Sequence, residues 1–308
     1  THNYFQRIYM IILCVVFPAI LLLTGMITAP IKKISIAAKR IAGGNYSERI
    51  SVSGHDEISE LADDFNQMAE RVEEKIDELS GIAKQKEEFA ANFAHELKTP
   101  MTSVIGYADM LYHKDLSREQ VKSAAYYIWN EGMRLEALSL KMMDLFVLDK
   151  QDFKLEKMDV AELFRDISEG IYPVCKKNGV IFHMGLENGK IYADFDLLKT
   201  MILNMVDNAV KADCSDIWIV GKSGKNGYVI QIADNGKGIP KNELGRITEA
   251  FYMVDKSRSR KYHGAGIGMA LVAKIAAIHQ AKMDIESDGK SGTVLSFTFP
   301  FKKGEEND

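Results

Sequence analysis

His95 lies in the run FAHELKTP, Phe93–Pro100, with Glu96 beside it and Thr99 one helical turn on. An imidazole is partly neutral near pH 7 and so has a free nucleophilic nitrogen, suited to taking a phosphoryl group. Its other nitrogen needs an acceptor to fix the tautomer, and the Glu96 carboxylate could supply one. If the run is helical, Phe93, Leu97, Val104, Ala108 and Leu111 form its apolar stripe. At about 100° per residue, His95 falls about 160° from both Phe93 and Leu97, which disfavours a satisfied core histidine. Thr99 and Thr102 share its face. Pro100 removes one backbone N–H and is expected to bend or loosen the helix. An exposed histidine is usually an ordinary surface residue, so the other motifs must decide.

A second group stands in NMVDNAVKA, where Asn204, Asn208 and Lys211 are spaced four and three apart. They make one polar helix face, with Leu198, Ile202, Met205 and Ala209 roughly opposite. Two asparagines are poor choices for a plain exposed helix. Amide oxygens ligate Mg2+ and lysine neutralises phosphate. After a β-like run comes DNGKGIP, with Asp234, Gly236 and Gly238; alone it would be a turn. In HGAGIGMAL, Gly264, Gly266 and Gly268 open a helix, where glycines let backbone N–H groups approach phosphate. Met269 stands where GxGxxG needs glycine and no strand precedes, which argues against a dinucleotide fold. No GxxxxGK[ST] occurs, so a P-loop is excluded.

Several elements must carry these groups. Residues 8–31 contain no charge, enough to span a bilayer and too long for a signal-peptide core. Lys32, Lys33, Lys39 and Arg40 follow the segment, against Arg7 before it, so the rest is expected to be cytoplasmic. This gives an extracytoplasmic flank over 1–7 and a transmembrane helix over 8–29. The chain starts at Thr1, and we expect it to be the later part of a longer polypeptide. A helical pattern from Ile31 to Ala42 leads through Gly43-Gly44 and a non-helical piece to a second helix opening at Asp56-Glu57. Its apolar positions Ile58, Leu61, Phe65, Met68, Val72, Ile76, Leu79 and Ile82 form a coiled-coil seam with a stutter. Helix, connector, helix after a membrane span, with Pro30 and Asp56-Glu57 in place, resembles a HAMP signal-relay domain over 30–80; a plain dimerising coiled coil is the alternative.

The helical pattern continues through residue 113, and a second long helix runs from about Ser117 to Leu148. Its stripe is Val121, Ala124, Ile128, Leu135, Leu138, Met142 and Leu145. An antiparallel hairpin over 81–150 cannot cover both stripes, so a dimeric four-helix bundle is expected. From 154 to 303, short β-like runs alternate with helices at 195–213 and 266–280, giving an α/β domain; 304–308 is a charged tail. Composition is ordinary, with 27% charged residues and net charge −4, so no direct nucleic-acid partner is expected. The three cysteines, Cys14, Cys175 and Cys214, make neither a metal motif nor a disulfide framework.

The order of motifs is specific. FAHELKTP, NMVDNAVKA, DNGKGIP, EAFYMVDKSRSR and GAGIGMAL resemble the H, N, G1, F and G2 boxes of a bacterial, membrane-bound sensor histidine kinase of a two-component system. The resemblance covers nearly the whole chain. It implies a multidomain protein: transmembrane helix, HAMP-type coiled coil, helical hairpin for dimerisation and phosphotransfer, then an α/β sandwich of the GHKL (Bergerat) type. It further implies ATP and Mg2+, a homodimer and a response regulator receiver domain as partner. His95 would be the phosphoacceptor, Glu96 its acid/base partner and Thr99 a phosphatase residue. Asn208 would bind Mg2+, with Asn204 and Lys211 at the phosphates, and Asp234 would accept the adenine amino group in the G1 box with Gly236 and Gly238. Phe251, Tyr252, Lys256 and Arg258 would belong to a lid, and Gly264, Gly266 and Gly268 would close on the phosphates. Ala265, Ile267 and Met269 depart from the family's GTGLGL, which puts a phosphate contact at 265 in doubt. Gyrase- and chaperone-type ATPases share this nucleotide fold but use a glutamate where Asn204 stands, and an amide cannot be a base. A non-catalytic or phosphatase-dominant receptor is the other alternative.

Overall fold

The computed structural model describes residues 2–51, 56–150, 152–254 and 266–301. They form two compact units divided between Glu88 and Phe89.

In the first unit, α1 is one continuous helix, His2–Ala42, with Pro18 and Pro30 inside it. The span and the helix expected to start at Ile31 are therefore one element, because a proline removes only its own N–H bond. Its apolar residues from Tyr9 to Ile27 are exposed, and the helix is long and apolar enough to cross a membrane. Gly44, at φ 98°, ends it. The second helix, α2, spans Glu57–His113 and begins here, its first turn capped by Asp56, which accepts from Ser59 N and Oγ. Ala37, Ile50 and Ala62 bury together, against Ile34 and Phe65. Asn66 fastens the connector to α2: its Oδ1 accepts from Ile50 N and its Nδ2 donates to Ile50 O, both at 2.9 Å. Two turns on, Glu73 accepts from Ser47 and Arg49. In the single chain the seam residues Leu61, Met68, Leu79 and Ile82 are exposed, while Ala62 and Ala69 are buried.

The second unit opens with the rest of α2 and with α3, Arg118–Lys150. Phe89 meets Phe146, Glu96 meets Arg134 and Tyr107 stacks on Tyr127, so the two run antiparallel as expected. The turn closes with a capping box between Ser117 and Gln120. The helix continues unbroken through Pro100.

The remaining elements, in order, are β1 Glu156–Asp159, α4 Val160–Asn178, β2 Ile181–Leu186, β3 Lys190–Ala193 and α5 Phe195–Lys211. They continue as β4 Asp216–Gly224, β5 Gly227–Asp234, α6 Gly268–Ile278, β6 Lys282–Ser287 and β7 Thr293–Pro300. Five strands form a mixed sheet in the order β2-β4-β5-β7-β6, and β1 pairs with β3 separately. Alternation decides which face is buried: Ile217 and Ile219, Ile230 and Ile232, and Leu295, Phe297 and Phe299 point to the helices. Those strands meet Leu163, Phe164, Ile167 and Ile171 of α4, Leu198, Ile202 and Met205 of α5, and Leu271, Val272 and Ile275 of α6. Leu138, Met142 and Leu145 of α3 join the same core.

Two helix ends are tied by a buried histidine. His279 Nδ1–H donates to Ile275 O at 2.7 Å, and its Nε2 accepts Asp194 N–H at 3.1 Å. Asp194 in turn caps α5 by accepting from Leu197 N. Both ring nitrogens are thus committed in the neutral form, and burial pushes the His279 imidazolium pKa down. Because the unfolded chain takes the proton first, this residue's contribution to stability is present above about pH 6.5 and is lost as pH falls below it. The thermal midpoint should fall between pH 7.5 and 5.5, and His279→Gln should flatten that slope. An unchanged slope in the variant would assign it to other groups.

Candidate functional site

His95 is displayed on the surface, with its side chain 78% exposed, as the rotation about the helix predicts. Its Nδ1 faces Glu96 Oε1 at 4.0 Å, longer than a hydrogen bond. Glu96 points inward and reaches Arg134 of α3, Nη2 to Oε2 at 3.6 Å. Arg134 is 14% exposed and its Nη1 also faces Glu131 at 3.7 Å. Glu96 is thereby oriented by the second helix of the hairpin. Sequence reasoning missed Arg134 and Glu131; the available signal was a pair of charges next to the apolar stripe at Leu135 and Leu138. Thr99 is exposed on the next turn, its Oγ1 donating to His95 O at 3.4 Å.

A separate cavity of about 310 Å³ lies between α5, α6 and the β5–α6 connection. Ile239, Ile247, Met205 and Leu295 give it an apolar part, with Asp234 among them. Burial raises the Asp234 carboxyl pKa, partly offset by the backbone N–H of Gly236, which donates to Oδ1 at 2.8 Å. Gly236 is needed there, since a Cβ would sit 2.7 Å from that of Ala212. Gly238 adopts φ 69° and lines the cavity.

Asn208, Lys211, Gly266, Gly268 and Lys141 line the same cavity. Lys211 Nζ bonds Asp207 Oδ2 at 2.5 Å. Asn204 does not line it: its Nδ2 donates to Thr200 O, which turns Oδ1 toward Gly268. A Cβ on Gly268 would come within 3.2 Å of that oxygen, so this glycine lets α6 start tight against the asparagine face. The first turn of α6 has no side-chain cap. The first turn of α6, a lysine and an asparagine at one end of an apolar cleft suit a phosphate chain and a hard cation shared with it.

Tyr252 lines the cavity, while Phe251 does not. Phe251 adopts φ 67°, accepts the constraint of an N–H bond to Gly266 O at 2.8 Å, and turns its ring to Phe89 and Phe93 of α2, with centroids at 5.3 and 6.3 Å. Phe251, expected as part of the lid, thus has its ring buried against the hairpin in this structure. Lys256, Arg258 and Gly264 lie outside the described residues. His95 is not among the cavity's lining residues. Cys175 and Cys214 are buried thiols, and burial pushes Cys214 up to about 11.

Three domain families match in sequence. They are the HAMP domain over 22–74, the His Kinase A (phospho-acceptor) domain over 85–150, and the Histidine kinase-, DNA gyrase B-, and HSP90-like ATPase over 193–303. Sensor histidine kinase YclK of Bacillus subtilis is 30% identical over 275 residues, covering 88% of this chain and 58% of YclK. Sensor histidine kinase MtrB of Mycolicibacterium paratuberculosis is 26% identical over 297 residues, covering 92% of this chain and 51% of MtrB. The chain thus spans little more than half the length of these relatives. Among solved structures, histidine kinase ThkA in complex with the response regulator protein TrrA shares the fold, with TM-score 0.55, 19% identity, and coverage of 72% of this chain and 66% of that one. With an exposed histidine on a helical hairpin and these three domains in this order, the chain belongs to the sensor histidine kinases of two-component systems.

Proposed function

We propose that the chain autophosphorylates His95 from Mg-ATP and passes the phosphoryl group to an aspartate of a response regulator receiver domain. The observation that carries this reading is the pairing of a solvent-facing imidazole, flanked by an oriented carboxylate, with a separate cleft that is apolar at Asp234 and cationic at Lys211. Asp234 accepts the adenine amino group, while Asn208 and Lys211 meet metal and phosphates. Bound Mg-ATP supplies an electrophilic γ-phosphorus. With the imidazole proton on Nδ1 beside Glu96, the Nε2 lone pair is free to attack. The P–N bond forms there as the P–O bond to ADP breaks, and Glu96 takes up the Nδ1 proton. His95 must reach the cleft for this, so transfer requires an arrangement of hairpin and nucleotide domain other than this one.

The modules read as a membrane anchor over 8–29, HAMP over 30–80, phosphoacceptor hairpin over 81–150 and ATP-binding domain over 154–303. The anchor places the protein in a bacterial cell membrane with its catalytic part in the cytoplasm. The chain acts as a homodimer: Met101, Ile105, Val121 and Leu140 of the hairpin are exposed in a single chain, and a second hairpin would cover them. Incubation with γ-labelled ATP and Mg2+ should label the chain with an acid-labile, base-stable phosphoryl group. No label, or an acid-stable one, would refute the reading.

Thr99 extends it to the reverse reaction. Among the described residues its hydroxyl makes a single long bond, to its own helix, so it is available to hold an attacking water against a docked aspartyl phosphate. Thr99→Ala should keep autophosphorylation within about twofold and lose most phosphatase activity toward the phosphorylated regulator. Equal loss of both would point to a distorted helix near Pro100.

A further inference from the structure

The cationic end of the cleft is completed from outside the nucleotide domain. Lys141 belongs to α3 of the hairpin, yet it lines the cavity together with Asn208, Lys211 and Gly268. Its side chain is 33% exposed, and α3 packs there on α6 through the shared core residues Leu138, Met142 and Leu145. The ammonium lies 4.0 Å from Asp207 Oδ2. That same oxygen is already taken by Lys211 at 2.5 Å. One carboxylate therefore serves two ammonium groups, and Asp207 is 43% exposed, so its attraction for Lys141 is further weakened by water. Two ammonium groups thus stand at the mouth of the cleft beside the Asn208 amide and the first turn of α6, whose N-cap residue Ile267 offers no side-chain bond. Burial and the neighbouring Lys211 both push the Lys141 pKa down, against the pull of Asp207 and Asp144. A cation held here against burial and a neighbouring lysine gains from an anion entering the cleft.

We propose that Lys141 binds the nucleotide's phosphate chain from the hairpin, so that bound nucleotide ties α3 to the ATP-binding domain. This rests on the nucleotide reading of the cleft and adds a residue that none of the sequence motifs contains. Lys141 is a positioning residue for the nucleotide-loaded pose in which His95 stands outside the cleft. Phosphates satisfy both ammonium groups at once, which Asp207 cannot do. The tie depends on the number of phosphates and not on the base.

The test uses the full chain in detergent, with ATP and adenosine as paired probes in calorimetric titrations with Mg2+. Lys141→Gln should weaken ATP binding about tenfold, the loss of one charge-assisted hydrogen bond, and leave adenosine binding within about twofold. Lys141→Arg should restore most of the ATP affinity. Amide exchange around Lys141 in α3 should slow on adding ATP to the wild type, but not on adding adenosine, and not in Lys141→Gln. Unchanged ATP affinity in Lys141→Gln overturns this inference alone. Equal losses for ATP and adenosine also overturn it, reducing Lys141 to a packing contact. A wild type that binds neither probe overturns the nucleotide reading itself, and this inference with it.

Discussion

His95→Gln should reduce phosphoryl labelling of the chain by ATP to background, with the fold intact. Glutamine keeps the size and polarity of an exposed side chain but offers no nucleophilic nitrogen, and the buried stripe of α2 is untouched. A competing acceptor makes the experiment informative. His113 lies eighteen residues on, which is five full turns, so it shares the face of His95 about 27 Å further along the helix. It has a carboxylate closer than His95 does, Asp109 Oδ1 at 2.9 Å, and it is 63% exposed. Proximity of a carboxylate alone would favour His113. The two carboxylates differ in how they are held. Asp109 is 66% exposed and sits in the last turns of α2. Glu96 is 19% exposed and fixed by Arg134 from the opposite helix. A preorganised partner is the one expected to orient an imidazole in a reaction. His113→Gln should therefore retain full labelling. If the label survives in His95→Gln and disappears in His113→Gln, the acceptor has been misassigned and the role of Arg134 falls with it.

The residues that carry the chemistry were legible because each depends on short-range spacing. The exposure of His95 follows from rotation about a helix whose apolar stripe is plain. The strands β4, β5, β6 and β7 follow from alternation, and α5 and α6 from their periodicity. Other parts depend on information that spacing does not hold. The helix α4 contains Gly170 and Pro173, which mask its period; it forms because Asp159 caps its start, Gly179 at φ 70° closes its end, and its apolar face is buried. The two-stranded sheet of β1 and β3 has four residues in each strand, too short for a pattern. The packing of the Phe251 ring against Phe89 and Phe93 joins residues far apart in sequence, and only tertiary structure brings them together. Arg134 and Lys141 act across elements, Arg134 on Glu96 of α2 and Lys141 on the cleft beside α5; charges beside the apolar stripe of α3 mark them as unusual, but nothing local names their partners.

Asn208→Ala should cut autophosphorylation by about 10²-fold or more, the scale seen when one preorganised group is withdrawn from a charge-developing transition state. Asn208 lines the cleft one turn from Lys211, and in the proposed reading the metal and phosphates are shared there. Among the described residues no group of three or more histidine, cysteine or acidic side chains could hold a metal by itself. A cation here would need phosphate oxygens and water to complete its shell, as Mg2+ accepts. One protein oxygen is then a large share of what the protein provides, and losing it should be felt most in the Mg2+ dependence. Stability should hardly change. Asn208 is only partly buried, its neighbours Met205, Val206 and Ala209 keep the apolar face of α5 in the core, and alanine is the better helix former. Adenosine binding should survive as well, since Asp234 and the apolar part of the cleft are unaltered. The variant thus separates metal handling from base recognition and from folding. Transfer at the wild-type rate with normal Mg2+ dependence would remove Asn208 from the metal site, and a fall in thermal midpoint of more than about 5 °C would trace the lost activity to the fold instead.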